Sequence, residues 1–142
     1  MNATDERTFL DPNFMSYLVQ QGESFNDVLS QLQKSFPKLC TDVRCLQEVV
    51  YRYHLMGDTE LGSKRAMEIR QSIEVFPIDQ DVLGKMEELM ELYPKHPPRE
   101  LLHSSVMLLQ KVRFIICSPE SHYHEIEEVN SVSPISKASQ RI

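Results

Sequence analysis

Short apolar segments alternate with longer segments of helical periodicity, and this alternation limits the possible folds more than any other feature of the chain. Residues 8–10 (Thr-Phe-Leu) form an apolar run that ends in Asp-Pro-Asn, a combination that favours a turn. Residues 74–78 and 113–117 give two further strands, and the second is apolar at its centre, as is typical of a strand buried on both faces. Strands separated by helices predict an α/β layer fold with a largely parallel sheet.

Helical periodicity marks six segments between these strands. Gly57 ends one of them, and Asp42 and Asp79 stand where they would cap the N-termini of two. The last segment carries apolar side chains on nearly every side, which predicts a buried central helix. The segments cover residues 14–19, 24–36, 43–56, 58–73, 79–93 and 99–110.

Composition narrows the class of protein. The chain has 142 residues, of which 41% are hydrophobic and 25% charged, as in one ordinary globular domain. No apolar run approaches the roughly 20 residues that span a bilayer. Residues 1–7 lack the apolar core of a secretory signal, so we expect a cytoplasmic protein with no membrane partner. The net charge of −6 argues against a surface that coats nucleic acid through phosphate contacts alone, but suits carboxylates that hold a cation.

The cysteines and histidines give no strong metal motif. The three cysteines, at positions 40, 45 and 117, lack Cys-x-x-Cys spacing and are expected to be reduced thiols in or near the core. His122 and His124 with Glu125 form only a weak zinc signal, because no further nitrogen or sulfur ligand stands at zinc spacing. His103, on the predicted buried helix, is interpreted as a satisfied core histidine.

Two acidic residues follow predicted strands. Asp11 comes after the first strand, and Glu120 lies in the turn after the last. In parallel sheets, ligands collect at the carboxyl ends of the strands. Both residues are therefore candidate site residues before any family is considered.

Four short motifs follow one another from residue 8 to about residue 134. Residues 8–13 give an opening strand with an Asp-x-Asn turn, and residues 46–49 (Leu-Gln-Glu-Val) put an acid on a helix. Residues 97–106 are Pro-Pro-Arg-Glu-Leu-Leu-His-Ser-Ser-Val, and residues 115–124 are Ile-Ile-Cys-Ser-Pro-Glu-Ser-His-Tyr-His. Each motif alone is weak, but in this order and spacing they resemble the PIN-domain family, and within it the VapC-like toxin ribonucleases.

The resemblance implies a fold and a function. It implies a three-layer PIN-like fold, with a central largely parallel sheet flanked by helices, over residues 1–134. The chain is polar after about residue 131, which by itself predicts a flexible C-terminal tail over residues 135–142. The resemblance also implies a metal-dependent endoribonuclease that hydrolyses RNA phosphodiester bonds with Mg²⁺ or Mn²⁺, as the toxin of a toxin–antitoxin pair. The implied partners are an RNA substrate, a small antitoxin protein and a second copy in a homodimer. The apolar residues that would serve a homodimer, unless they belong to the core, are Phe14, Met15, Tyr17 and Leu18.

Carried over by motif, the implied catalytic and metal-binding residues are four acids. Hard cations such as Mg²⁺ and Mn²⁺ prefer carboxylate oxygens, and one or two such ions can activate water at a phosphodiester. The acids are Asp11, Glu48, Glu100 and Glu120. Asn13 and Ser118 are predicted to support them, and Lys95 and Arg99 to bind the RNA backbone.

Each acid also has an ordinary structural explanation. Asp11 would be a turn former, and Glu120 a plain loop charge. Glu100 would compensate the helix dipole in a first turn. Glu48 points away from the apolar side of its helix, which is typical of a solvated face.

The chain departs from the family pattern at four positions. The family usually has Asp where Glu100 and Glu120 stand, and one extra methylene moves each carboxylate by about 1.5 Å. Pro12 replaces a Thr or Ser, and His124 replaces a frequent second Asp of the last motif. The alternative function is therefore a catalytically weak or inactive PIN-like module that binds RNA or protein.

Overall fold

The computed structural model describes residues 6–132, and within them five strands form one parallel sheet. The order across the sheet is β3-β2-β1-β4-β5, and all four neighbouring pairs are parallel. The predicted α/β fold with a largely parallel sheet is confirmed. The strands are β1 (Thr8–Leu10), β2 (Leu39–Asp42), β3 (Glu74–Phe76), β4 (Phe114–Ile116) and β5 (Asn130–Val132).

Within the same described residues, six α-helices flank this sheet. Four of them begin at an aspartate whose carboxylate accepts a hydrogen bond from a first-turn N–H. Such a cap contributes about 1 kcal/mol, because it satisfies a donor that the helix leaves unpaired. The caps are Asp11, Asp42, Asp58 and Asp79. The helices are α1 (Pro12–Gln20), α2 (Phe25–Ser35), α3 (Val43–Leu55), α4 (Thr59–Ser72), α5 (Gln80–Leu92) and α6 (Pro98–Leu109).

The central strands are covered on both faces. Every residue of β1 and β2 is buried, and consecutive residues of a strand point to opposite faces. Edge strands β3 and β5 are more exposed. Helix α6 buries seven of its residues, so the predicted buried helix is confirmed. The apolar residues offered for a homodimer belong mainly to the core, because Phe14, Met15 and Leu18 are buried and only Tyr17 is exposed.

Three details differ from the sequence prediction. Strands β2 and β5 were not predicted, because β2 is only four residues long with two polar members and β5 has a single apolar residue. The Asp-Pro-Asn segment at residues 11–13 is the start of α1 rather than a free turn. The predicted tail at residues 135–142 lies outside the described residues.

The order in which strands are added to the sheet switches sides at β1. Strands β2 and β3 lie on one side of it, and β4 and β5 on the other. The backbone N–H of Asp11 donates to the carbonyl oxygen of Ile116 at 3.1 Å, so the ends of β1 and β4 remain paired at this point. Such a switch point is where open α/β sheets bind their ligands.

None of the helices within residues 6–132 combines the length and apolarity that a membrane crossing requires.

Candidate active site

Asp11 is a buried carboxylate at the switch point, with only 2% of its surface exposed. Its Oδ2 accepts a hydrogen bond from the backbone N–H of Asn13 at 2.9 Å, and its Oδ1 accepts one from the Tyr123 hydroxyl at 2.6 Å. Burial raises the pKa of Asp11 above its usual value, although both hydrogen bonds, together with His103 and Arg99, act to lower it. A cation would stabilise the ionised form of this carboxyl group.

Glu100 is a second buried carboxylate, in the first turn of α6. Its Oε1 lies 3.0 Å from Nε2 of His96 and accepts a hydrogen bond from the backbone N–H of His122 at 3.1 Å. His122 precedes Tyr123, so one short loop after β4 binds both Glu100 and Asp11. Burial, followed by the charges of Asp11 and Glu100, raises the pKa of Tyr123 well above its usual value. The loop after β4 therefore links the two carboxylates, because Tyr123 binds Asp11 and the neighbouring His122 binds Glu100.

Glu48 lies on α3 with its side chain 12% exposed, and both oxygens are engaged by cations. Oε2 is 3.4 Å from Arg44 Nη1, and Oε1 is 3.0 Å from Arg52 Nε. Glu48 is thus less solvated than its position opposite the apolar stripe indicated. A metal ion at this carboxylate would compete with two arginines.

Glu120 is exposed and interacts with its own turn. Its carboxylate accepts a hydrogen bond from the Ser118 hydroxyl, and its backbone N–H donates to Ser118 Oγ at 3.2 Å. The Ser118 hydrogen bond lowers the pKa of Glu120. Ser118 does hold a carboxylate, but none of these contacts joins Glu120 to Asp11 or Glu100.

Three of the predicted substrate-binding and supporting residues lie at or near the segment that begins α6, namely Asn13, Lys95 and Arg99. Asn13 binds Asp11 through its backbone N–H, whereas its side-chain oxygen lies 3.5 Å from Nη2 of Arg99. Arg99 is exposed, and its charge lowers the pKa of Asp11. Lys95 is exposed in the break between α5 and α6. Arg99 is therefore the better positioned of the two cations for a substrate at Asp11.

Comparison with known proteins identifies the fold. No protein-family model and no curated protein sequence matches the chain, but solved structures do. One match is a chain of VapBC2 from Rickettsia felis, in a structure that contains a DNA fragment from the VapBC2 promoter. The TM-score is 0.70 at 14% identity, over 89% of this chain and 98% of that one. VapBC-1 from nontypeable Haemophilus influenzae matches with a TM-score of 0.68 at 13% identity, over 89% and 97%. VapC20 from Mycobacterium tuberculosis, a sarcin-ricin loop cleaving toxin, matches with a TM-score of 0.59 at 16% identity, over 76% and 86%.

The chain has the PIN-like fold of the VapC toxins. The resemblance that the four motifs indicated is confirmed at the level of the fold. Asp11 lies at the switch point of this sheet, and the loop after β4 connects Glu100 to it.

A buried trio beside the site was not predicted as a unit. Asp42 is the last residue of β2. Its Oδ1 accepts a hydrogen bond from the backbone N–H of Cys45 at 3.0 Å, which caps α3. Its Oδ2 lies 2.6 Å from Nδ1 of His103. Cys45 Sγ lies 3.8 Å from the same nitrogen. The sequence signals were an aspartate at a strand end and a histidine on the buried helix. The second nitrogen of His103 is buried and has no hydrogen-bond partner among residues 6–132, so this histidine is only half satisfied there.

The trio is the one group of three possible ligands whose atoms lie within 4.8 Å of one another in residues 6–132. Two features favour a structural role over a metal site. The 2.6 Å between Asp42 and His103 suits a charge-assisted hydrogen bond, whereas two ligands of one tetrahedral zinc ion lie roughly 3.4 Å apart. Burial raises the pKa of Cys45 well above its usual value, which keeps the thiol protonated. All three cysteines are free and buried, as predicted.

Asp11 and Glu100 fit a hard divalent ion better than the trio does. Mg²⁺ is commonly bound by one or two carboxylates and several waters. Every described hydrogen bond to Glu100 ends at Oε1, which leaves Oε2 available. Each oxygen of Asp11 accepts one described hydrogen bond and retains a lone pair.

Proposed function

We propose that this protein is a cytoplasmic metal-dependent endoribonuclease that hydrolyses RNA phosphodiester bonds, as the toxin of a toxin–antitoxin pair. The observation that carries the proposal is the pair of buried carboxylates, Asp11 and Glu100, held by adjacent residues of one loop at the switch point of a VapC-like fold. A matched structure supports it, because VapC20 is named as a toxin that cleaves the sarcin-ricin loop.

Asp11 and Glu100 would hold Mg²⁺ or Mn²⁺. A bound ion would lower the pKa of a water molecule and neutralise charge that develops on the phosphate. Tyr123 keeps the Asp11 carboxylate in one orientation through the bond to Oδ1, and the N–H of His122 does the same for Glu100. Positioning of this kind reduces the freedom that a ligand has to lose when the cation binds.

The remaining predicted residues complete the proposed site. Glu48 and Glu120 extend the acidic set when they leave Arg44, Arg52 and Ser118. Arg99 binds a substrate phosphate next to Asn13. At the edge of the proposed site, Lys95 binds the RNA backbone. Asn13 and Ser118 support the acidic residues there. A small antitoxin that covers Asp11 and Glu100 would block the site.

A second function has its own support in the structure. Both oxygens of Glu48 are paired with arginines, and Glu120 is exposed and bound to its own turn. A site with only two engaged acids would hold a cation weakly. The second candidate is therefore a PIN-like module that binds RNA or protein and cuts slowly or not at all.

The test is RNA cleavage by the purified protein, free of any partner. A pool of structured RNAs is incubated with EDTA, Mg²⁺ or Mn²⁺ and the wild type, D11N or D58N. Asp58 is a matched control, because it also caps a helix, α4, away from the switch point. We expect cleavage that requires the ion, is lost in D11N and persists in D58N. A folded wild type that binds RNA without cutting it under any ion would support the binding module instead.

A further inference from the structure

His96 is a buried histidine that contacts one of the two buried carboxylates. It lies in the segment between α5 and α6 with its side chain 2% exposed, and its Nε2 is 3.0 Å from Oε1 of Glu100. An ionised carboxylate only accepts hydrogen bonds, so Nε2 carries the proton and His96 is the donor. On the other side of the ring, Nδ1 is 3.7 Å from Oε2 of Glu125, which exceeds the roughly 2.7–3.2 Å of a normal hydrogen bond. Glu100 is therefore the carboxylate that His96 binds.

Glu100 receives both of its described hydrogen bonds on one oxygen. Its Oε1 accepts from Nε2 of His96 at 3.0 Å and from the backbone N–H of His122 at 3.1 Å. The two donors come from different segments, one before α6 and the other after β4. Together they restrict rotation of the carboxyl group. Oε2 is the oxygen that remains for a cation.

The ring of His96 is itself held by its neighbours. The rings of Tyr93 and His122 each pack edge-on against it, with centroids 6.3 Å away. The backbone N–H of His96 donates to the carbonyl oxygen of Tyr93 at 3.1 Å. The Tyr93 hydroxyl accepts from the N–H of Glu127 at 3.1 Å, which joins this segment to the loop after β4. The donor to Glu100 is therefore fixed by packing before any cation binds.

The contact also depends on the length of the acid at position 100. An aspartate there would be one methylene shorter, which withdraws the carboxylate by about 1.5 Å. Such a carboxylate could keep its contact with His96 only if the buried helix α6 moved. His96 and Glu100 are therefore matched to each other at a position where PIN-like chains usually have aspartate.

We propose that His96 is a positioning residue of the acidic pocket, which fixes the glutamate at position 100 so that Oε2 serves a divalent cation. This inference rests on the proposed ion site at Asp11 and Glu100 and adds a residue to it. His96 acts through Glu100 and does not itself bind the ion. Hydrogen-bond partners of a metal-binding carboxylate change metal affinity by about 10–100-fold when they are removed.

The test is Mn²⁺ affinity, measured by electron paramagnetic resonance on the full chain without RNA. H96L removes the donor and keeps an apolar side chain, and should weaken Mn²⁺ binding at least about tenfold. H96Q keeps a side-chain N–H donor and should recover most of the affinity, which a purely structural role would not explain. H54N, which changes an exposed histidine that contacts Thr59, should bind as the wild type does. Circular dichroism and urea unfolding check that each variant is folded.

A double-mutant cycle tests the match between the two side chains. In the E100D background the shorter acid no longer reaches His96, so H96L should cost little further Mn²⁺ affinity. The proposal is overturned if H96L binds Mn²⁺ as tightly as the wild type, or if H96Q binds no better than H96L. An equal loss from H96L in both backgrounds, or a folded wild type that binds no Mn²⁺, would also overturn it.

RNA cleavage on the same samples separates this proposal from the proposed function. Mn²⁺ binding that depends on His96, in a protein that cuts no RNA, would contradict the nuclease proposal and support the positioning role. Metal-dependent cleavage that is lost in D11N, with Mn²⁺ affinity unchanged in H96L, would support the nuclease and overturn the role of His96.

Discussion

The Tyr123 hydroxyl donates a 2.6 Å hydrogen bond to Oδ1 of Asp11, between two side chains that lie far apart in the chain and are both buried. The bond joins the loop after β4 to the start of α1. It also keeps the pKa of Asp11 lower than burial alone would make it. Tyr123 is therefore a positioning residue of the proposed site.

Y123F should weaken both the fold and the proposed activity. It leaves a buried carboxylate oxygen without its donor, which costs about 1–3 kcal/mol. The pKa of Asp11 should rise further, because the hydroxyl lowers it. The acidic limb of the cleavage–pH profile should then move to higher pH, since only the ionised carboxylate binds a cation. Urea unfolding and cleavage rates across pH measure both effects, and an unmoved pH profile would contradict this role.

Replacement of Arg44 and Arg52 by glutamine should release Glu48. Both arginines are more than a third exposed, and exposed ion pairs contribute about 0.2–1 kcal/mol each. If Glu48 takes part in ion binding, the Mg²⁺ concentration for half-maximal cleavage should fall by a few-fold in the double variant and rise in E48Q. Unchanged Mg²⁺ dependence in both would mean that Glu48 serves only its helix.

D42N should destabilise the fold without altering the ion requirement. Asparagine can still cap α3, but it loses the charge-assisted bond to His103. Hydrogen bonds to charged groups contribute about 1.5–3 kcal/mol, and denaturant unfolding should register a loss of that size. A D42N protein of full stability that no longer responds to Mg²⁺ would instead assign the trio to ion binding.

Stability should decrease in alkaline solution partly through Cys40. Burial raises the pKa of this thiol from 9.0 to about 12 in the folded protein. The unfolded chain loses the proton first, so the contribution of Cys40 is complete below pH 9 and is lost as pH rises toward 12. Denaturant unfolding of wild type and C40A at pH 8 and pH 10.5 should show a stability difference that shrinks with pH. If the stability difference between wild type and C40A is the same at both pH values, Cys40 does not contribute to the alkaline loss of stability.

Much of the fold followed from local pattern. Helix caps and apolar stripes carry their own signal, so Asp42 and Asp79 were recognised from sequence as the starts of α3 and α5. Strand β2 was hidden because its burial comes from neighbouring strands rather than from an apolar run. Edge strand β5 is polar and pairs only with β4 among the described strands.

The candidate site was only partly visible in the sequence. Asp11 follows a strand and Glu100 begins a buried helix, and both positions are local features. Tyr123 and His96 act through contacts made over long stretches of chain, for which a single sequence gives no signal. The engagement of Glu48 by two arginines one turn away was readable from the spacing, since residues four apart on a helix are neighbours.

The most direct test of the central claim is Mn²⁺ binding, followed by electron paramagnetic resonance, with RNA cleavage measured on the same samples. The account predicts that the wild type binds Mn²⁺ and cleaves RNA, and that D11N and E100Q each lose both properties. D58N, which changes a helix cap away from the switch point, should retain both. Wild-type Mn²⁺ binding and cleavage in D11N and E100Q would contradict the account.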